Sequence, residues 1–247
     1  HLLDGEQSDT QAHDISNLNT LYRAAKQRFD NEDDFKKRAQ HRVVKLQSGD
    51  ATSLKIWHEI VSKSLSYFQT IYNKLNVLLT EADAKGESFY NEQLAPLVDE
   101  LLDKNIAQLD DGAVVIFLPG FVDKNNSPLP FLIRKSDGGY LYSTTDLAAA
   151  KYRIETLKAN RIIYVVDTRQ KQHFDMLFSA LKQTPWLGDT RCEHVAFGSI
   201  LGRDHKPFKT RSGETIKLAT SIDEAISRAD KIAETKNPEL SPSERQT

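Results

Sequence analysis

The chain has 247 residues, enough for one or two domains with a sizeable core. Its 33 Lys and Arg residues against 35 Asp and Glu residues give a net charge of −2, which excludes the overall positive field of a general nucleic-acid or membrane-surface binder and leaves only a local patch for such a partner. The single Cys192 excludes an internal disulfide framework and a thiolate zinc cluster, and the lack of a long apolar window predicts a cytoplasmic protein without a membrane partner.

The first third of the chain has the apolar periodicity of helices. An acidic NEDD segment separates the first two helices, and the turn at 48–50 separates the second from the third. Thr52 or Ser53 is the expected N-cap of the third helix, whose long apolar stripe is typical of core packing. The predicted helices cover residues 18–29, 35–46 and 54–75.

From Asn76 onward, short β-rich runs alternate with turns and helical segments. Residues 123–130, with a KNNSPLP turn, predict an antiparallel hairpin. After the hairpin, strands alternate with helices at 146–158 and 170–183, which predicts parallel β-α-β units with ligands at the carboxyl ends of the strands. The predicted strands cover residues 77–79, 113–118, 131–134, 140–142, 161–166 and 193–197. A capping box of Ser221 and Glu224 predicts a last helix to about Lys236.

The first candidate site is the segment GGYLYSTTD, residues 138–146. We expect Tyr142 at the carboxyl end of a strand and Asp146 at the start of the following helix. A carboxylate beside an aromatic ring suits a guanidinium or ammonium ligand. Alternatively, Thr144 and Asp146 only cap and charge the N-terminus of that helix.

The second candidate site is DTRQKQHF, residues 167–174, which follows the apolar strand IIYVV. The amide of Gln170 can donate and accept hydrogen bonds, which suits an amino-acid or nucleotide ligand, and His173 could approach a phosphate. A purely structural role for both residues is the alternative.

The third candidate site is the loop GRDHKPFKTRSG, residues 202–213, which carries four Lys and Arg residues and one His against one Asp. Cations near a sheet edge suit a polyphosphate and can neutralise a departing pyrophosphate. A solvated basic hairpin is the alternative. The motifs of serine hydrolases, zinc proteases and dinucleotide oxidoreductases are not found, and the seven His residues lack ligand spacing, so we assign no metal.

Together and in this order, these loops resemble the catalytic domain of the class I aminoacyl-tRNA synthetases, and within that class the bacterial enzymes for arginine. The resemblance extends over nearly the whole chain. It is carried by VVKLQSGD, LNVLLTEADAKGESFYN, DGGYLYSTTDLAAAKYRIETL, IIYVVDTRQKQHF and FGSILGRDHKPFKTRSGETIKL.

The resemblance implies ATP-dependent activation of L-arginine to arginyl-adenylate, with Mg²⁺ accompanying ATP, and transfer to tRNA(Arg) by a monomeric enzyme. It places the arginine on Tyr142, Asp146 and Gln170. The catalytic cations on the pyrophosphate are Lys209 and Arg211 jointly, because the loop lacks the usual register of signature lysines. The implied ATP-binding residues are His173, Phe197, Gly198, Lys209, Thr210 and Arg211.

The implied fold is α/β, the second half of a Rossmann-type parallel sheet, preceded by a helical connective insertion and a β-hairpin insertion. The expected domains are the helical insertion over 1–75, an α/β catalytic half-domain over 76–220 with the hairpin near 110–137, and a helix and polar tail over 221–247 that leads to an absent anticodon-binding domain.

The His-x-Gly-His signature of the class is absent from this sequence. We therefore expect an internal fragment of the enzyme that is inactive alone. A non-catalytic synthetase-like binding module is an alternative, and an unrelated α/β nucleotidyl transferase that binds ATP without arginine dependence is another.

Overall fold

The computed structural model of the chain describes residues 15–198 and 218–245. The chain divides into two compact units, one of residues 1–84 with 216–247 and the other of residues 85–215. The described helices are α1 (Ile15–Asn31), α2 (Asp33–Gln47), α3 (Ala51–Lys74), α4 (Asn91–Asp103), α5 (Tyr142–Glu155), α6 (Lys171–Leu181), α7 (Leu218–Lys236) and α8 (Pro242–Arg245). The described strands are β1 (Gln108–Asp110), β2 (Ala113–Val122), β3 (Pro128–Arg134), β4 (Arg161–Asp167) and β5 (Arg191–Phe197).

In the first unit, the three predicted helices are present, but the predicted N-cap of α3 is wrong. Asp50 is the N-cap, and its carboxylate accepts hydrogen bonds from Ser53 N at 2.8 Å and Ser53 Oγ at 2.7 Å. These bonds lower the pKa of the Asp50 carboxyl. The preceding turn at Gly49 has a φ of +85°, which glycine adopts without strain.

Three further details of the helical unit differ from the sequence predictions. Ile71 is the buried apolar residue of the α3 stripe, whereas Phe68 and Leu75 are about half exposed, because the described neighbouring helices cover this face only in part. Residues 77–79 form no strand, since no other strand pairs with them. Ser221 lies inside α7 and therefore does not cap it, although α7 does end at Lys236 as predicted.

The described part of the second unit contains two small sheets. Strands β1, β2 and β3 form an antiparallel sheet, in which β2 and β3 are the predicted hairpin. Strands β4 and β5 are parallel and are connected through α6, which makes one β-α-β unit. This mixture of helices and sheets confirms the α/β class, whereas the assignment of domains by residue range stays a prediction.

The predicted strand at 140–142 is wrong. Tyr140 makes an isolated antiparallel bridge with Arg134, and Tyr142 is the first residue of α5. Helix α5 therefore follows the antiparallel strand β3 and starts four residues earlier than predicted.

The core of the second unit lies among α4, α5, α6 and the two sheets. Its fully buried side chains include Leu101, Ile116, Ile133, Leu147 and Leu177. On β4, the buried Ile162 and Tyr164 alternate with the exposed Ile163 and Val165, which is the two-residue period of a strand with one covered face. Within the described residues, no helix is both long and apolar enough to cross a membrane.

Candidate arginine-recognition site

The start of α5 is anchored on strand β3 by two hydroxyl groups. The Ser143 hydroxyl donates to the carbonyl of Leu132, and the Thr144 hydroxyl donates to the carbonyl of Ile133. Both side chains are buried, and Thr144 Oγ1 also accepts from Leu141 N at 3.3 Å. The serine and first threonine of the YSTTD motif therefore fix where the helix begins.

The loop that leads into α5 is a tight turn. Lys135 N donates to Gly139 O at 2.9 Å, and Gly138 adopts a φ of +88°, which favours glycine. The Asp137 carboxylate accepts from Gly139 N at 2.9 Å. This turn reverses the chain directly after β3, so that α5 starts beside the strand on which its hydroxyl groups are anchored.

Tyr142 and Asp146 lie one helical turn apart on α5. Residues at this spacing share a face of the helix, with Cβ atoms about 5–6 Å apart. Tyr142 is 61% exposed, and the Asp146 side chain is 32% exposed. The two groups therefore present a phenol and a carboxylate on the same side of α5, although the predicted position of Tyr142 at a strand end is wrong.

His173 on α6 connects these two residues. Its Nε2 lies 2.7 Å from Asp146 Oδ2, and its ring centroid lies 4.7 Å from that of Tyr142. The imidazole is only 10% exposed and also packs against Phe131 and Phe174. Because an ionised carboxylate only accepts, Nε2 carries the proton and donates to Asp146. Among the described residues, His173 is the one group that donates a hydrogen bond to the Asp146 carboxylate. The other carboxylate oxygen, Oδ1, is therefore available to a ligand.

The start of α6 is set by a turn after β4. Asp167 accepts from Arg169 N at 2.8 Å and from the Arg169 guanidinium at 2.9 and 3.0 Å, which raises the pKa of that guanidinium. A short 3₁₀ turn over Thr168–Gln170 then leads into α6. The structure thus places Gln170, which is exposed, one turn before His173.

The phenol of Tyr164 lies in the core of the same unit. Arg153 Nη1 donates to Tyr164 Oη at 3.3 Å, and the guanidinium carbon lies 5.4 Å from the ring centroid. Burial raises the pKa of Tyr164 to about 12. Tyr164 also packs at 4.9 Å against Phe174, the residue next to His173.

Two other predicted ATP-binding residues, Phe197 and Gly198, lie at the carboxyl end of β5. Phe197 pairs in register with Asp167 and is exposed, and Gly198 directly follows it. Among the described residues, no atom lies within 4 Å of a Cβ added at Gly198. Of the remaining predicted ATP residues, Lys209, Thr210 and Arg211 lie outside the described residues.

Sequence reasoning missed the pairing of Asp146 with His173. It placed both residues at neighbouring strand-to-helix junctions. A carboxylate and an imidazole at two such junctions can form a hydrogen bond, and this is the signal that could have revealed the pair. In the part of the chain that the structure describes, no group of three or more His, Cys, Asp and Glu side chains is arranged to hold a metal ion.

The arrangement suits a planar cation. A guanidinium can donate to Asp146 Oδ1 while its face lies against an exposed aromatic ring, a combination of charge-assisted hydrogen bonding and cation–π contact. A lysine ammonium can make the charge contact, but it lacks the planar fork. The structure therefore brings Tyr142 and Asp146 together as a candidate guanidinium site.

Comparison with known families gives a match over the entire chain. The family model described as "tRNA synthetases class I (R), catalytic domain" matches residues 1–247. The chain is 47% identical over 241 residues to the arginine–tRNA ligase of Thermobifida fusca, covering 97% of this chain and 42% of that protein. It is 50% identical over 234 residues to the arginine–tRNA ligase of Saccharophagus degradans, covering 93% of this chain and 40% of that protein.

Two solved structures are similar to this fold. The crystal structure of arginyl-tRNA synthetase from Plasmodium falciparum matches with a TM-score of 0.71 and 29% identity, covering 90% of this chain and 34% of that chain. The Thermus thermophilus arginyl-tRNA synthetase matches with a TM-score of 0.57 and 19% identity over 92% of this chain and 46% of that chain, which concerns the fold alone. The chain spans about two fifths of the length of the curated relatives above.

Proposed function

We propose, since the chain belongs to the family of class I tRNA synthetase catalytic domains for arginine, that the full-length gene product is an arginine–tRNA ligase. In its first step, the carboxylate of L-arginine attacks the α-phosphate of ATP, which forms arginyl-adenylate and releases pyrophosphate. In its second step, the arginyl group passes to the terminal ribose of tRNA(Arg) and AMP leaves. The enzyme would act as a monomer in the cytoplasm.

The cluster of Tyr142, Asp146 and His173 is the observation that carries this proposal. In it, Asp146 Oδ1 receives the substrate guanidinium and the ring of Tyr142 packs against it. His173 donates to Asp146 Oδ2 at 2.7 Å and so orients the carboxylate, which makes it a positioning residue. Gln170, at the start of the same helix, would contact the polar end of the amino acid.

For ATP, we assign the carboxyl ends of β4 and β5, where Phe197 pairs with Asp167 and Gly198 follows directly. The cations Lys209 and Arg211, with Thr210, would bind the phosphates and stabilise the leaving pyrophosphate. Positioning and electrostatic stabilisation then lower the barrier without a covalent enzyme intermediate. Mg²⁺ would enter with ATP on its phosphates.

The test is charging of tRNA with radiolabelled arginine by the full-length gene product and by an Asp146→Asn variant. The variant keeps the size of the side chain but removes the charge that pairs with the guanidinium. Loss of a charged pair costs a few kcal/mol, and because Asp146 is about one-third exposed we take about 2 kcal/mol. The KM for arginine should therefore rise about 30-fold.

Asp175→Asn is the matched control, because Asp175 is a partly exposed acid of the same helix as His173 and pairs with Lys171 at 2.6 Å. It should leave the KM for arginine unchanged. Equal KM values for the Asp146→Asn variant and the wild type would refute the site. Lack of arginine charging by the wild type would refute the function.

A further inference from the structure

The carboxylate assigned to the substrate guanidinium has a partner that can change its charge. Asp146 Oδ2 lies 2.7 Å from His173 Nε2, and the two side chains are 32% and 10% exposed. Among the described residues, no Lys or Arg side chain lies within 4 Å of this carboxylate. Histidine is the side chain whose charge changes between about pH 5 and 8. The pair therefore carries a net negative charge when the imidazole is neutral and is neutral overall when the imidazole is protonated.

Both forms of the His173 ring fit this environment. The neutral ring donates from Nε2 to Asp146, and the protonated ring makes the same hydrogen bond as an ion pair. The protonated ring also finds aromatic faces nearby, because its centroid lies 4.7 Å from that of Tyr142, 5.8 Å from that of Phe131 and 5.2 Å from that of Phe174. A change of protonation can therefore occur without a rearrangement of the packing.

The charged side chains next to His173 in the sequence are paired with one another. On the same helix, Lys171 Nζ lies 2.6 Å from Asp175 Oδ2. In the preceding turn, Arg169 Nε lies 2.9 Å from Asp167 Oδ1. Asp, Lys and Arg side chains titrate well outside the range of imidazole. These two pairs therefore exert a nearly constant field on the His173 ring between pH 5.5 and pH 8.

The elements that pack on α6 add few groups that titrate near neutral pH. Strand β2 has no titratable side chain, and on β3 the side chain of Arg134 lies on the opposite face from Phe131. Burial raises the pKa of Tyr164 on β4 to about 12 and also raises the pKa of Cys192 on β5, so both stay neutral below pH 8. Arg153 of α5, whose Nη1 donates to Tyr164 Oη at 3.3 Å, stays charged.

His194 of β5 is the other imidazole near α6 in the part of the chain that the structure describes. Its ring centroid lies 4.7 Å from that of Phe174, and its Nε2 lies 3.1 Å from the carbonyl oxygen of Val166. Among the described residues, it forms no hydrogen bond with Asp146 or His173. His194 therefore has the same side chain and the same aromatic neighbour as His173, but it does not contact the carboxylate.

We propose that Asp146 and His173 form an acid switch, in which a proton on His173 and the guanidinium of the substrate compete for the same carboxylate. This inference rests on the proposed function, because it takes arginine as the ligand of Asp146 Oδ1. With a neutral His173, the pair is negative and attracts the guanidinium. With a protonated His173, Asp146 is already neutralised, and the guanidinium is a second cation on one carboxylate.

The size of the effect depends on the distance between the two cations. An imidazolium at Oδ2 and a guanidinium at Oδ1 lie about 6 Å apart, and at an effective dielectric constant of about 20 their repulsion lowers the affinity about 100-fold. Because the Asp146 side chain is 32% exposed, water and salt screen part of this repulsion, and we expect about tenfold. Acid therefore weakens arginine binding, which recovers as the pH rises and His173 loses its proton. By linkage, arginine binding displaces that proton.

The first test measures the KM for arginine in tRNA charging by the full-length gene product between pH 5.5 and pH 8. The ratio of the KM at pH 5.5 to the KM at pH 8 should approach about tenfold in the wild type. It should stay near one in His173→Gln, whose amide can donate to Asp146 but cannot take up a proton. The matched control His194→Gln removes the neighbouring imidazole and should keep the ratio of the wild type.

The second test is made on the wild type and remains valid if a variant fails to fold. Isothermal titration calorimetry of arginine binding in two buffers with different ionisation enthalpies gives the number of protons released. Binding should release protons at pH 6 and fewer at pH 8, because arginine can displace a proton from His173 only where His173 carries one. His194→Gln should release as many protons as the wild type, and His173→Gln should release fewer at pH 6.

The acid switch is overturned if the wild type and His173→Gln show the same KM ratio, or if arginine binding to the wild type releases no protons at pH 6. It is also overturned if His194→Gln removes the pH dependence and His173→Gln keeps it. A wild type that charges arginine with a KM independent of pH refutes the switch alone. One that binds arginine with proton release but charges no tRNA refutes the proposed function alone, and one that neither binds nor charges arginine refutes both.

Discussion

Replacing His173 tests how the candidate arginine site is organised. We compare His173→Leu, which keeps an apolar side chain of similar reach but removes the hydrogen bond to Asp146, with His173→Gln, whose amide nitrogen can still donate. Both variants disturb the packing against Tyr142, Phe131 and Phe174, so the difference between them isolates the hydrogen bond.

The magnitude follows from the geometry of that bond. A hydrogen bond to a charged group contributes about 1.5–3 kcal/mol, and the 2.7 Å separation with a nearly buried imidazole is favourable. Asp146 is about one-third exposed, so water partly replaces the lost donor and we take the lower end, about 1.5 kcal/mol. This corresponds to about a tenfold higher KM for arginine in the Leu variant than in the Gln variant.

The assay is steady-state charging by the full-length gene product, with arginine and ATP varied separately. If His173 orients Asp146, the KM for arginine changes while the KM for ATP and kcat change little. A double-mutant cycle with Asp146→Asn should then show that the effect of His173→Leu disappears once the carboxylate charge is gone. A higher KM for ATP at an unchanged KM for arginine would show instead that His173 contacts phosphate, and equal values for the Leu and Gln variants would refute the positioning role.

Two further predictions concern the support of the site. Thr144→Val should lower the free energy of unfolding by about 1–2 kcal/mol in chemical denaturation, because the buried carbonyl of Ile133 loses its donor, whereas Thr144→Ser should keep most of the stability. For Tyr164, whose pKa is raised to about 12, the folded state holds the phenolic proton more tightly than the unfolded state, so stability should fall as pH rises from 10 to 12. A Tyr164→Phe variant should show a shallower fall over that window, and identical pH profiles would contradict the burial effect.

The sequence predicted the elements whose local pattern agrees with their environment. The β-branched runs that form β2, β3 and β4 were placed within a few residues of their observed bounds, and the hairpin and the parallel β-α-β unit are confirmed. On β3 and β4 the more buried and more exposed residues alternate, whereas β2 buries Val114, Val115 and Ile116 in succession. The local sequence pattern was therefore sufficient to predict these strands.

The strand predicted at 140–142 shows where local pattern fails. The aromatic segment YLY has high β-propensity, but Ser143 and Thr144 find acceptors at Leu132 and Ile133, eleven residues earlier in the chain. Two buried hydroxyl groups bonded to a neighbouring strand outweigh a propensity difference that spans about 1 kcal/mol. The helix therefore starts at Tyr142, and this outcome depends on a tertiary contact that is invisible in the local sequence.

The pairing of Asp146 with His173 also depends on tertiary structure. The two residues lie 27 positions apart on different helices, and their distance depends on how α5 and α6 pack on the two sheets. Sequence reasoning identified both as residues that could carry chemistry. It assigned His173 to a phosphate because an imidazole after a strand is ambiguous until its neighbours are known.

The two helices of the site are anchored on different supports, and this explains why one hydrogen bond matters. Helix α5 is fixed to β3 of the antiparallel sheet through Thr144, whereas α6 follows β4 of the parallel sheet through the Asp167 turn. The carboxylate and the imidazole therefore come from two different junctions, and the imidazole also packs against Phe131 of β3 and Tyr142 of α5. The precision of guanidinium recognition thus depends on the junctions at the starts of α5 and α6 as much as on the residues that touch the ligand.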